Sequence, residues 1–142
     1  MRDAVDDHAA TNKVMIVEDD LIIALDLEDM VAGFGFEVAG LASSLEHALH
    51  LAPSSNIAFV DVNLSDGASG PAIGRILAED FGMTVVFMTG NAEAVADGVR
   101  GTLGVVSKPV SPQTVEQTLT YVAARRKNEI AAVPPMLKVF TA

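Results

Sequence analysis

The chain has no cysteine among its 142 residues. Disulfides, thiolate catalysis and cysteine zinc sites are therefore excluded. No apolar run approaches the roughly 18 residues of a membrane-spanning helix. Residues 1–8 are polar and acidic, without the apolar core of a secretory signal peptide. Positive charge is scarce: nine Lys and Arg stand against nineteen Asp and Glu, a net charge of −10. A surface this acidic repels nucleic acid. The short cluster Arg125-Arg126-Lys127 does not reverse that field and fits the end of a helix, where cations complement the dipole. There is no glycine-rich loop with a lysine, which disfavours nucleotide hydrolysis. There is no internal repeat and no low-complexity tract. These absences leave a cytoplasmic protein that binds neither nucleic acid nor membrane.

What is present is apolar residue in quantity. Half of the chain is hydrophobic, enough for one domain with a real core. Residues 1–12 read as a flexible lead-in, 13–127 as the folded domain, and 128–142, with Pro134-Pro135, as a C-terminal tail. Within the domain, short β-rich runs alternate with helical periods. Lys13 to Val17 predicts the first strand. Ile23, Leu27, Met30 and Phe34 then fall on one helical face, and Gly33 and Gly35 stop that helix. Phe36 to Leu41 predicts the second strand. Ser44 caps a helix that buries Leu45, Ala48, Leu49 and Ala52 and ends at Pro53. Ile57 to Asp61 is the third strand. A helix near Pro71 follows, burying Ile73, Ile76 and Leu77. Thr84 to Met88 is the fourth strand. The Gly-interrupted stretch 92–104 predicts a short fourth helix, and Leu103 to Ser107 the fifth strand. Ser111-Pro112 opens the last helix, with Val115, Leu119 and Val122 inward. Strand and helix alternate five times, which implies an α/β fold with a five-stranded parallel sheet and helices on both faces.

Function is written at the strand ends. Ile57-Ala58-Phe59-Val60 runs straight into Asp61, and a polar loop follows. A continuous apolar run of this kind suits a strand buried on both faces. The carboxylate then falls at the carboxyl end, where open α/β sheets bind ligands. The first strand ends at Glu18 and Asp19, the fourth at Thr89, the fifth at Lys108. Crowded carboxylates raise one another's pKa unless a cation intervenes. Hard oxygen ligands with room for water suit Mg²⁺. Lys108 can hold a phosphoryl oxygen as a point charge, and Thr89 offers a hydroxyl. The set describes a phosphoryl-transfer site with Asp61 as nucleophile.

On Glu18-Asp19, Asp61, Thr89 and Lys108-Pro109, the sequence resembles the receiver domain of the two-component response regulator family, over roughly residues 13–126. The resemblance implies a flavodoxin-like (βα)5 sandwich with strand order 2-1-3-4-5. It implies that Asp19 and Asp61 bind Mg²⁺ directly, Glu18 through water and Asn63 through its backbone carbonyl. Asp61 is then the phosphoacceptor, charged by a histidine kinase or a histidine phosphotransfer protein. Thr89 and Lys108 respond to the phosphoryl group, the bond before Pro109 is cis, and Asn63 and Asn91 tune the phosphoryl lifetime. With no output domain after residue 126, a single-domain regulator is implied, signalling to a downstream protein target or by onward phosphotransfer. It is a regulator rather than an enzyme, limited to its own phosphorylation and dephosphorylation. Two features depart from the family pattern. Val105 stands where an aromatic is usual, three residues before the lysine. Phe87-Met88-Thr89-Gly90 partly resembles a subgroup with Phe-Ala-Thr-Gly at this place.

Two other functions compete. Haloacid-dehalogenase-type phosphatases also use a strand-end Asp with Mg²⁺, but they resemble Asp-x-Asp, and Asn63 cannot supply the second acid. A degenerate receiver acting as a phosphorylation-independent binding module is the other. Smaller signals have plain readings. Asp20 belongs to the helix start, Asp66 to a loop turn, His47 and His50 to a solvated face, and His8 to the lead-in. Asp80-Phe81-Gly82 matches a kinase triplet without the rest of a kinase.

Overall fold

The computed structural model describes residues 12–65 and 69–140. Residues 1–11 of the lead-in expected over 1–12, His8 among them, and the turn role of Asp66 lie outside the described residues, while Asn12 is buried. Six strands form one sheet: β1 (Lys13–Val17), β2 (Glu37–Ala42), β3 (Ile57–Asp61), β4 (Thr84–Thr89), β5 (Gly104–Ser107) and β6 (Leu137–Val139). Their order is β2-β1-β3-β4-β5-β6. The first five are parallel, and β6 runs antiparallel to β5. The α-helices are α1 (Leu21–Gly33), α2 (Leu45–Leu51), α3 (Gly70–Phe81) and α4 (Pro112–Arg126). Short 3-10 turns occupy Ala52–Ser54 and Ala92–Val95.

The apolar runs become the central strands because both sheet faces are covered. Side chains alternate across a strand. Val14 and Ile16 therefore join the cluster beneath α1 and α4, with Leu27, Val31, Leu119 and Val122. Met15 and Val17 join the cluster beneath α2 and α3, with Ala48, Ile73 and Leu77. The parallel register pairs Val17 with Val60, Asp61 with Met88 and Thr89 with Ser107. One sheet edge thus collects the residues that follow the five parallel strands.

Helix ends obey local chemistry. Asp20 accepts from the Ile22 and Ile23 N–H groups at 3.0 and 3.3 Å, so it does start its helix. Ser44 and Ser111 do the same for His47 and Thr114 at 3.2 and 3.1 Å. Gly82 ends α3 in the left-handed conformation, φ 68°. The kinase-like triplet is therefore the end of a helix.

Four expectations need correction. The buried face of α1 is Ala24, Leu27 and Val31, and Ile23 is exposed. Leu21, Ile22 and Leu25 are exposed too, so this helix is apolar around much of its girth and its period does not mark one face. In α2, Ala48 is buried while Leu45 and Leu49 stay exposed, because a short helix lying close to the sheet buries its small residue. Over 92–104 there is only the 3-10 turn; Gly98 and Gly101 take φ 83° and 82°, which ends any helix. The tail supplies β6, a strand too short to show a period and paired with a distant partner. Smaller shifts start β2 at Glu37 and β5 at Gly104.

Helix α3 begins against the end of β3. A Cβ on Gly70 would collide with the Asp61 carbonyl oxygen and sit 2.7 Å from the Val62 Cα, and these are backbone atoms that cannot swing aside. Gly33, by contrast, has nothing within 4 Å of such a Cβ. Gly70→Ala is expected to lower unfolding stability by about 1–3 kcal/mol, whereas Gly33→Ala is expected to stay within about 1 kcal/mol of the parent, on the stable side. Urea titrations of both variants check this; equal stabilities would show that the close approach at Gly70 does not exist.

Candidate functional site

Glu18 and Asp19 follow β1. The Glu18 N–H donates to the Ala42 carbonyl at 2.9 Å, which carries the strand pairing one residue further and directs Glu18 inward. Glu18 and Asp61 are both 4% exposed, and Asp19 is half-buried. One carboxylate oxygen from each of these three residues lies within 4.8 Å of the others, the one such acidic group among the described residues.

Lys108 enters from the end of β5. Its N–H donates to the Thr89 carbonyl at 2.8 Å, and the Lys108-Pro109 bond is cis, as expected. Its ammonium reaches Glu18 Oε1 at 3.0 Å and Asp61 Oδ2 at 3.1 Å. Burial opposes that charge, but the hydrogen bonds to Glu18 and Asp61 outweigh it, and the Lys108 pKa is raised. For Glu18 the balance differs. Burial pushes its pKa up, the Lys108 hydrogen bond pulls it down, and the nearby Asp61 adds to the rise. Asp19 goes the other way, because hydrogen bonds from Ser65 hold its carboxyl below the usual range.

The remaining predicted residues divide. The Asn63 N–H donates to Asp61 Oδ1 at 3.1 Å, so the loop after β3 already touches the central carboxylate. The Thr89 side chain is fully buried and turned elsewhere. Its Oγ1 donates to the Asn91 carbonyl at 3.1 Å and accepts from the Asn91 N–H at 3.0 Å. Asn91 Oδ1 in turn caps the Ala92–Val95 turn through the Glu93 N–H at 3.1 Å. Glu18, Asp19, Asp61 and Lys108 therefore form one contact group, with Asn63 joined by its backbone and Thr89 and Asn91 set beside it. Ser65 is the participant that the sequence does not announce: a serine two residues past Asn63 carries no signal of its partner. His47 and His50 are exposed, as a solvated face requires.

Chemically the group offers an ionisable carboxylate at a strand end, two further carboxylates to share a cation, and an ammonium. Three carboxylates with one Lys leave an excess of negative charge, which calls for a hard cation. Beside it runs a groove lined by Ile22, Ile23, Met30, Met88, Pro109 and Val110.

Comparison with known proteins gives a consistent answer. The regulator PhyR of Methylorubrum extorquens, called phyllosphere-induced, is 31% identical over 125 residues, 82% of this chain and 47% of that protein. The chain thus spans about half the length of that curated relative. The receiver domain of Erythrobacter litoralis PhyR, solved in solution, superposes with a TM-score of 0.72 at 29% identity, covering 87% of this chain and 98% of that one. The anti-anti-sigma factor PhyR of Bartonella quintana superposes with a TM-score of 0.73 at 27% identity, covering 83% of this chain and 49% of that one. A family model described as the response regulator receiver domain matches residues 14–120. A match that runs from β1 into α4, over a sheet with the receiver strand order, places the chain in the response regulator receiver domain family.

Proposed function

We propose that Asp61 is the phosphoacceptor of this receiver domain, that Mg²⁺ assists, and that the phosphorylated form signals by protein contact or onward phosphotransfer. The observation that supports this most is the Lys108 ammonium bridging Glu18 and Asp61 on the edge where three carboxylates converge. The donor is phosphohistidine on a kinase or a phosphotransfer protein. An Asp61 oxygen attacks phosphorus, a P–O bond forms, and the P–N bond breaks with its electron pair passing to the imidazole. An ionised carboxylate needs no base for this. Lys108, already 3.1 Å from Asp61 Oδ2, is placed to meet a phosphoryl oxygen.

The donor set fits a hard divalent ion. Asp19 and Asp61 would hold Mg²⁺ directly, Glu18 through water and Asn63 through its carbonyl. When bound, the ion neutralises charge on the transferring group. Asn63 and Asn91 flank the site, and the lifetime of the phosphoryl group is the property we assign to them. The domain is taken as residues 13–127, with residues 128–142 as an extension that adds β6. Among the described residues, no helix is long and apolar enough to cross a membrane. A cytoplasmic location belongs to this reading. By likeness to the anti-anti-sigma factor PhyR, the output partner is a protein, and the acidic charge argues against nucleic acid.

Incubation with Mg²⁺ and acetyl phosphate is expected to add one phosphoryl group by intact mass, and Asp61→Asn is expected to abolish the gain. No gain in a chain that binds Mg²⁺ would favour a module that works unmodified. Mg²⁺ itself is expected to stabilise the fold by about 1.4 kcal/mol per tenfold excess over its Kd, an effect that thermal melts should find lost in Asp19→Asn. Acidity enters through Glu18. Its raised pKa means that it takes up a proton at a higher pH than an ordinary glutamate, and Mg²⁺ must displace that proton. Mg²⁺ affinity is therefore expected to fall with pH already above 4.5, the ordinary value for this side chain. Titration calorimetry of Glu18→Gln should show that part of the pH dependence removed; an unchanged profile would clear Glu18 of the role.

A further inference from the structure

The chain returns after α4 to close the sheet. β6 sets Val139 opposite Gly104, Lys138 opposite Val105 and Leu137 opposite Val106. The Phe140 N–H donates to the Leu103 carbonyl at 2.9 Å. Glycine makes the room: a Cβ on Gly104 would strike the Lys138 carbonyl oxygen and lie 3.1 Å from the Val139 Cα. Beyond the strand, the Phe140 ring packs 6.4 Å from the Phe87 ring, tilted by 42°. Gly98, with φ 83°, lies beneath it; a Cβ there would be 3.4 Å from Phe140 Cβ and Cγ. Val95, Val99 and Val105 belong to the same apolar cluster.

Phe140 therefore rests on the segment that Thr89 anchors. A hydroxyl has one proton to donate. Here Thr89 gives it to the Asn91 carbonyl, and Asn91 caps the turn that carries Val95. If Thr89 donates instead to an oxygen on Asp61, the Asn91 carbonyl loses that partner and the turn loses one of its ties. The seat of Phe140 is weakened at the same time. β6 is poorly defended against this. It is three residues long, at a sheet edge, with Lys138 exposed and Val139 and Phe140 half-buried.

We propose that residues 137–140 are a displaceable strand. Phosphorylation of Asp61 releases it, and the freed β5 edge pairs with an extended antiparallel segment of a partner protein. That segment carries an aliphatic residue and, three positions on, an aromatic, the spacing of Leu137 and Phe140. The proposal rests on the phosphoacceptor reading of Asp61, and its test separates the two.

Amide exchange is measured with and without beryllium fluoride, a stand-in for the phosphoryl group, in the presence of Mg²⁺. Fluorine NMR of the same sample reports whether the group has bound, and Asp61→Asn is the blank. The Phe140 amide is expected to exchange about tenfold faster in the bound form, with the amides of β1 and β3 unchanged. A labelled peptide of residues 134–140 is expected to bind the modified chain about tenfold more tightly than the unmodified one. Bound fluoride with unchanged exchange at Phe140, or equal peptide affinity, overturns the displaceable strand and leaves the phosphoacceptor standing. Absence of bound fluoride counts against the phosphoacceptor. Thr89→Val then decides the coupling alone: faster exchange at Phe140 in the unmodified variant supports it, and parental exchange ends it.

Discussion

The bridge from Lys108 to Glu18 and Asp61 is the interaction on which the site depends. Two almost fully buried carboxylates stand next to a third, and without a cation this corner would be strongly self-repelling. Lys108 answers part of that charge, and burial sharpens each interaction by lowering the local dielectric. The arrangement is incomplete by design of its charges: one ammonium cannot neutralise three carboxylates. Carboxylates left in excess are what a divalent ion needs. The same ammonium steadies Glu18 and Asp61 together, so removing it leaves each exposed to the other's charge.

That bridge exists only because the sheet delivers its parts together. Glu18 follows β1, Asp61 ends β3 and Lys108 follows β5, strands far apart in sequence. Parallel register sets them level, with Val17 beside Val60, Asp61 beside Met88 and Thr89 beside Ser107. The Thr89 carbonyl fixes the Lys108 backbone. Gly70 lets α3 start hard against the Asp61 backbone carbonyl, so the end of β3 is packed directly under the helix start. A sheet slip of one residue would turn every core side chain to the wrong face. The apolar clusters that hold the fold therefore also hold the site in register.

Legibility in the sequence followed the strength of local signals. β1, β3 and β4 could be read because strands buried on both faces are continuously apolar. Glu18, Asp19 and Asp61 could be placed because they follow or end such a run, and Lys108 because it follows Val105-Val106-Ser107. Helix starts at Asp20, Ser44 and Ser111 were visible because capping is a contact within three residues. The buried face of α1 was not, since a helix apolar on several sides leaves the choice to its neighbours. Ser65 was hidden because its bond to Asp19 spans 46 positions. β6 was hidden for the same reason, and Pro134-Pro135 before it spoke for a tail. For Ser65 and β6 the deciding partner was distant in sequence.

The most informative absence concerns Val105. Val105 pairs with Phe87 across β5 and β4, and a valine fills less of the space beside that ring than an aromatic would. Protein interiors do not tolerate such voids cheaply. Here Phe140 enters from the far end of the chain and packs against Phe87, with Val105 paired to Lys138 in the strand just before it. The small residues Gly98 and Gly104 are what admit it. Packing demands volume at that place and is indifferent to which strand supplies it. An aromatic built into β5 can only turn in place. One that follows an edge strand of three residues is held by few backbone bonds, and such an edge is where a sheet can take on a further strand. The aromatic that packs on Phe87 thus follows a three-residue edge strand instead of belonging to β5.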